Sequence, residues 1–95
     1  MRNYELGLLI RTEVNEDALN EFLEKVKGWI TQAGGSLTKT DLWGKRQLAY
    51  PVKKQREGLY VFLGAQMPPA ATFELERNLR LTEQVLRYLI VRQES

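Results

Sequence analysis

The spacing of apolar residues passes from a period of two to a period of about 3.6 and back, twice over, and this order constrains the fold more than any single residue does. Residues 2–11 alternate, with Tyr4, Leu6, Leu8 and Ile10 on one face and Asn3, Glu5, Gly7 and Arg11 on the other; Leu9 alone breaks the pattern. A helix is predicted next. Asn15 is placed to cap it, Glu16 and Asp17 suit its positive end, and Val14 and Leu19 have the spacing of a hydrophobic staple. Leu19, Phe22, Leu23, Val26, Ile30 and Ala33 form one apolar stripe, which Gly34 and Gly35 bring to an end. Glu21 and Lys25 are spaced to pair on the wet side, and Gly28 is expected to mark close packing of helix on sheet.

A long strand is expected over 36–52, bent or bulged at Gly44, with Pro51 placing it at a sheet edge because proline has no N–H to donate. Residues 53–57 read as a polar turn and 59–67 as a strand apolar on both faces in its first half. Pro68 and Pro69 open a second helix over 70–80, with Thr72, Leu75 and Leu79 inward, and 85–92 make a last strand. The order β-α-β-β-α-β, joined by right-handed crossovers, predicts an α+β ferredoxin-like sandwich. Its four-stranded antiparallel sheet carries both helices on one face and leaves the other uncovered. Ninety-five residues make a single domain, 1–95.

Composition removes most chemistry. The chain has no cysteine and no histidine, so disulfides, thiolate metal sites, cysteine nucleophiles and histidine acid–base catalysis are not available. The acidic pairs Glu16/Asp17 and Glu74/Glu76 lie on predicted helix surfaces, where a solvated face is the ordinary reading. Gly34-Gly35 ends a helix rather than opening one, the wrong polarity for cradling phosphate. No cofactor, metal or catalytic role is expected. The segment "MRNYELGLLIR" is expected not to serve as a signal sequence, since Glu5 interrupts its apolar run; no stretch reaches the roughly 18 apolar residues of a membrane span, and a cytoplasmic protein is the expectation.

Charge is what remains. Net charge is only +2, but residues 36–58 hold six bases (Lys39, Lys45, Arg46, Lys53, Lys54, Arg56) against two acids, Asp41 and Glu57. A basic middle in an otherwise balanced chain can direct a positive face at a polyanion; lysines on an edge strand also deter aggregation. Tyr60 and Phe62 alternate against Leu59, Val61 and Leu63, so one apolar set must face the uncovered side of the sheet. In the last strand Arg87 shares a face with Leu89 and Val91, and Tyr88 with Ile90. The RNA-recognition motif has the same element order, but its third-strand consensus is not met by "REGLYVFL".

The stretch "WGKRQLAYPVKK" resembles the signature of the bacterial small-subunit ribosomal protein six family, through Gly44, Arg46, Leu48, Ala49, Tyr50, Pro51 and Lys53. Val52 stands where isoleucine is more usual, and "MRNYE" and "LTEQVLRYLIVR" resemble the family's two ends. The resemblance implies a structural, non-catalytic component of the small ribosomal subunit. It would bind ribosomal RNA in the platform as a heterodimer with small-subunit protein eighteen. Carried over, Arg2, Arg46, Arg87 and Arg92 become RNA or partner contacts, with Lys45, Lys53, Lys54 and Arg56 as further RNA-binding residues. Tyr60 and Phe62 become the partner surface, while Tyr4 and Tyr50 are open between core and interface. The alternative is a regulatory or interaction domain of the same fold that homodimerises through its sheet.

Overall fold

The computed structural model describes residues 1–93. Six elements follow in order: β1 (Arg2–Ile10), α1 (Glu16–Gln32), β2 (Ser36–Val52), β3 (Gln55–Met67), α2 (Ala71–Leu81) and β4 (Val85–Gln93). The strands form one antiparallel sheet in the order β2-β3-β1-β4. Both β-α-β crossovers therefore skip a strand, which is the ferredoxin-like plan.

Helix α1 starts and stops as its sequence dictates. The Asn15 side chain accepts from the Ala18 amide at 2.8 Å. At the other end Gly34 takes φ +90° while its N–H donates to Thr31 O (3.0 Å) and the Gly35 N–H to Ile30 O (2.9 Å). This pair of bonds is a Schellman cap, which needs the left-handed residue that glycine supplies most cheaply. Phe22, Val26 and Ile30 are buried, with Leu19, Leu23 and Trp29 packed around them. In α2 the buried residues are Leu75 and Leu79, and Thr72 instead turns its hydroxyl onto Pro69 O at 2.7 Å.

Against these helices the sheet sets Tyr4, Leu6, Leu8 and Ile10 from β1 and Val61, Leu63, Ala65 and Met67 from β3. Each large side chain buried here is worth about 1.5–3 kcal/mol. No polar or charged residue is buried among the described residues. Tyr4 is thus a core residue, whereas Tyr50 is 58% exposed.

Three expectations are corrected. Gly28 does not mark close packing: a Cβ built there meets nothing within 4 Å. Glu21 and Lys25 form no ion pair, because two exposed long side chains gain too little to be held together. The polar turn is only Lys53 and Lys54. β3 already begins at Gln55, which pairs with Val52, so the hairpin closes through two residues at φ 49° and 68°. Those are the signs of a type I′ turn, favoured by the twist of the ribbon although lysine is a poor occupant.

Candidate nucleic-acid and partner interface

β2 is an edge strand, and its ladder to β3 is interrupted where the sequence is most distinctive. Pairing runs to Gln47↔Glu57 and resumes at Val52↔Gln55. Leu48, Ala49, Tyr50 and Pro51 therefore stand opposite Arg56 alone, a wide bulge in which the missing proline N–H costs no ladder bond. Pro51 sits inside the interruption, and pairing resumes after it. A smaller irregularity lies at Gly44, whose φ is +82°. Beyond Gln47 the two strands form an arm, and its bulge lines a groove of about 420 Å³ together with Thr12, Gln55, Arg56 and Glu57. Thr12 follows the end of β1, so the arm reaches across that end of the sheet.

Register sorts the basic side chains. Arg87 pairs with Leu9, and Leu9 with Tyr60, on the face opposite the helices. Arg46 pairs with Gly58, and alternation carries Arg56 to the same strand face. Lys53 and Lys54 form the tip of the arm. These five residues occupy one end of the molecule. Lys45 lies at the same end but, paired with Leu59, falls on the helix-side face, and its ammonium lies 3.1 Å from Glu57 Oε2. Arg2 and Arg92 do not join them. Arg92 pairs with Tyr4 and Arg2 with Met67, which puts both on the helix-side face. The Tyr4 row lies five residues from the Leu9 row, about 17 Å along the strand. The eight candidates thus form two groups.

Arg87 is the most constrained of these cations. Its Nη1 donates to Tyr50 Oη at 3.0 Å, and its Cζ lies 5.7 Å from the centre of the Tyr50 ring. That hydrogen bond, aided by the fields of Tyr50 and Tyr60, raises the guanidinium pKa above its ordinary value.

The uncovered sheet face carries the aromatic residues. Tyr60 and Phe62 stack nearly parallel (5°) with centroids 6.3 Å apart, and Trp43 tilts against Phe62 at 4.7 Å. Leu89 and Val91 continue the surface on β4, at 62% and 45% exposure. Gly7 lies between Phe62 and Leu89 in the register, and a Cβ there would make ordinary contact with the Phe62 ring at 3.4 Å. Tyr60 and Phe62 were legible from alternation. Trp43 was not: it stands in the irregularity between Leu42 and Gly44, where alternation gives no face. The signal for it was the glycine that follows.

A small α+β protein with a basic arm beside an uncovered aromatic sheet face is built for binding rather than for reaction. Proteins of similar sequence are ribosomal proteins. The profile of the family described as "Ribosomal protein S6" matches residues 3–92, and the chain belongs to that family. It is 45% identical over 95 residues to small ribosomal subunit protein bS6 of Moorella thermoacetica, covering 100% of this chain and 97% of that protein. The corresponding protein of Desulforamulus reducens is 40% identical over 93 residues, covering 98% of each. The crystal structure of 30S ribosomal protein S6 from Thermotoga maritima superposes with a TM-score of 0.90 at 30% identity, covering 97% of this chain and 87% of that one. This chain is accordingly a structural protein of the small ribosomal subunit in the cytoplasm, not an enzyme.

Proposed function

We propose that the chain binds small-subunit ribosomal RNA in the platform, jointly with small-subunit ribosomal protein eighteen. The observation that carries this reading is the placement of Arg46, Lys53, Lys54, Arg56 and Arg87 at one end of the molecule, next to an uncovered apolar face. Arginine and lysine supply phosphate contacts that hold the protein in register on RNA without reading sequence. Trp43, Tyr60, Phe62, Leu89 and Val91 supply an apolar surface of the sort a protein partner covers. Arg2 and Arg92 belong to the same function as a separate contact at the other end of the sheet.

Two modest surfaces that act together bind far more tightly than either alone, because the second contact becomes intramolecular. RNA affinity of the isolated chain is therefore weak and rises steeply with the partner. Titration of a platform RNA fragment with the chain, with and without protein eighteen, tests this. Tight binding by the chain alone refutes the joint surface. A chain that sediments as a dimer and ignores RNA in both titrations replaces this reading with homodimerisation through the sheet.

A further inference from the structure

β2 and β4 are the two outer strands of the sheet, so no ladder joins them. Three strand spacings separate them, about 14 Å. Yet Tyr50 of β2 and Arg87 of β4 meet through a 3.0 Å hydrogen bond and an Arg-over-ring contact at 5.7 Å. It is the one side-chain hydrogen bond between these two strands among the described residues. Tyr50 reaches so far because the four-residue bulge throws it out of the ladder and the arm crosses the end of β1 beside Thr12.

The arm has little else to fix its direction. Past Gln47↔Glu57 it has one further pair, Val52↔Gln55, a proline without a donor, and a turn of two left-handed lysines. A two-stranded ribbon of this kind is marginal by itself in water. Its attitude relative to the sheet depends on where the bulge is tied down.

The tie is also electrically open. A phenol is a neutral acceptor, so it orients the guanidinium without cancelling its charge, unlike Glu57 at 3.1 Å from Lys45. Of the five guanidinium N–H donors one is used here, and among the described residues the others meet no acceptor, which leaves them to an anion.

We propose that Tyr50 is a positioning residue. By holding Arg87 it locks the arm to the sheet, so that Arg87, Arg46, Arg56, Lys53 and Lys54 meet phosphates as one preorganised surface. This rests on the RNA-binding reading above, and two independent measurements separate them. The first is amide hydrogen exchange in the free chain. Tyr50→Phe, which keeps the ring and loses the hydroxyl, raises exchange at Val52 and Gln55, the one pair beyond the bulge, about 3–10-fold, the factor expected for one modest hydrogen bond. Tyr50→Leu raises it further, and the core amides of Leu6 and Leu63 do not change in either variant. The second is RNA titration with protein eighteen present, at several salt concentrations. Tyr50→Phe weakens binding by the same factor with an unchanged salt slope, because every phosphate contact is kept. Arg87→Gln lowers the slope by about 0.7–0.9.

Unchanged arm exchange in both Tyr50 variants overturns the latch, whatever RNA does. A reduced slope in Tyr50→Phe overturns the positioning role and makes Tyr50 a contact residue. If the wild-type chain and partner bind no RNA, the functional reading falls, while the exchange result still decides whether the arm is latched.

Discussion

Two glycines that look alike in the sequence are expected to respond oppositely to alanine. Gly35 completes the Schellman cap and lies against β3. A Cβ built there overlaps the Gln66 carbonyl oxygen, stands 2.7 Å from Met67 Cβ and lies 3.1 Å from Ile30 Cγ2. Apolar carbons settle at about 3.5–4.0 Å, so relief needs a shift near 1 Å. Two of the three obstacles belong to β3 backbone or to an atom fixed to it, and no rotamer change removes them. The end of α1 must lift from the sheet, carrying the buried Ile30 with it. Such overpacking costs about 1–3 kcal/mol, and the rigid neighbours place Gly35→Ala at the upper end.

Gly28 is mid-helix with nothing within 4 Å of its added Cβ. Alanine there stabilises by roughly 0.5–1 kcal/mol, since it removes the conformational freedom glycine loses on folding. The two variants thus differ by about 3–4 kcal/mol in urea unfolding, with equal m-values. In a domain of this size each kcal/mol moves Tm by about 4–8 °C, so their melting curves separate by more than 10 °C. A Gly35→Ala chain within about 0.5 kcal/mol of wild type would refute the close approach. A destabilised Gly28→Ala would equally refute the open helix face.

The remaining predictions concern the arm and the core. Replacing Lys53-Lys54 by Asn-Gly relieves two left-handed lysines, so it slows exchange at Val52 and Gln55, the pair at the tip, while the salt slope of RNA binding falls by about 1.4–1.8 because two cations no longer reach phosphates. A tip that exchanges faster sinks the turn assignment. Arg46→Ala lowers the slope by roughly one, and Lys45→Ala by clearly less because Glu57 already occupies that ammonium; equal effects would contradict the ion pair. Ile30→Ala, at a site 1% exposed, costs about 2–5 kcal/mol in chemical denaturation without altering the salt slope of the folded fraction.

Much of the architecture was readable from the chain because it depends on local rules. Alternation in β1, the Asn15 cap, the Gly34-Gly35 stop and the Pro68-Pro69 opening each involve neighbours within a few residues, and each stands in the structure close to where it was expected. The basic arm was readable in composition but not in shape. Alternation carries no information through a bulge, so the face of Trp43 and the direction of Tyr50 were hidden, and a single-residue glycine rule misjudged Gly28.

What the sequence determines alone is the order of elements, the two helix boundaries, the apolar sets that form the core, and the concentration of charge in the middle of the chain. Family membership follows from it too, since the signature around Leu48-Ala49-Tyr50-Pro51 is a matter of residues in order. Tertiary structure alone decides which cations share a surface. Of the candidates, Arg2 and Arg92 are set apart and Arg87 joins the arm, because strand register and face, not sequence distance, set who meets whom. It also decides what each charge has beside it: Lys45 has Glu57, while Arg87 is held 37 residues away in sequence by a neutral phenol. Both follow from the same physical fact. Pairing across a sheet is long-range, and the field at a side chain is made by whatever the fold brings within a few ångströms of it.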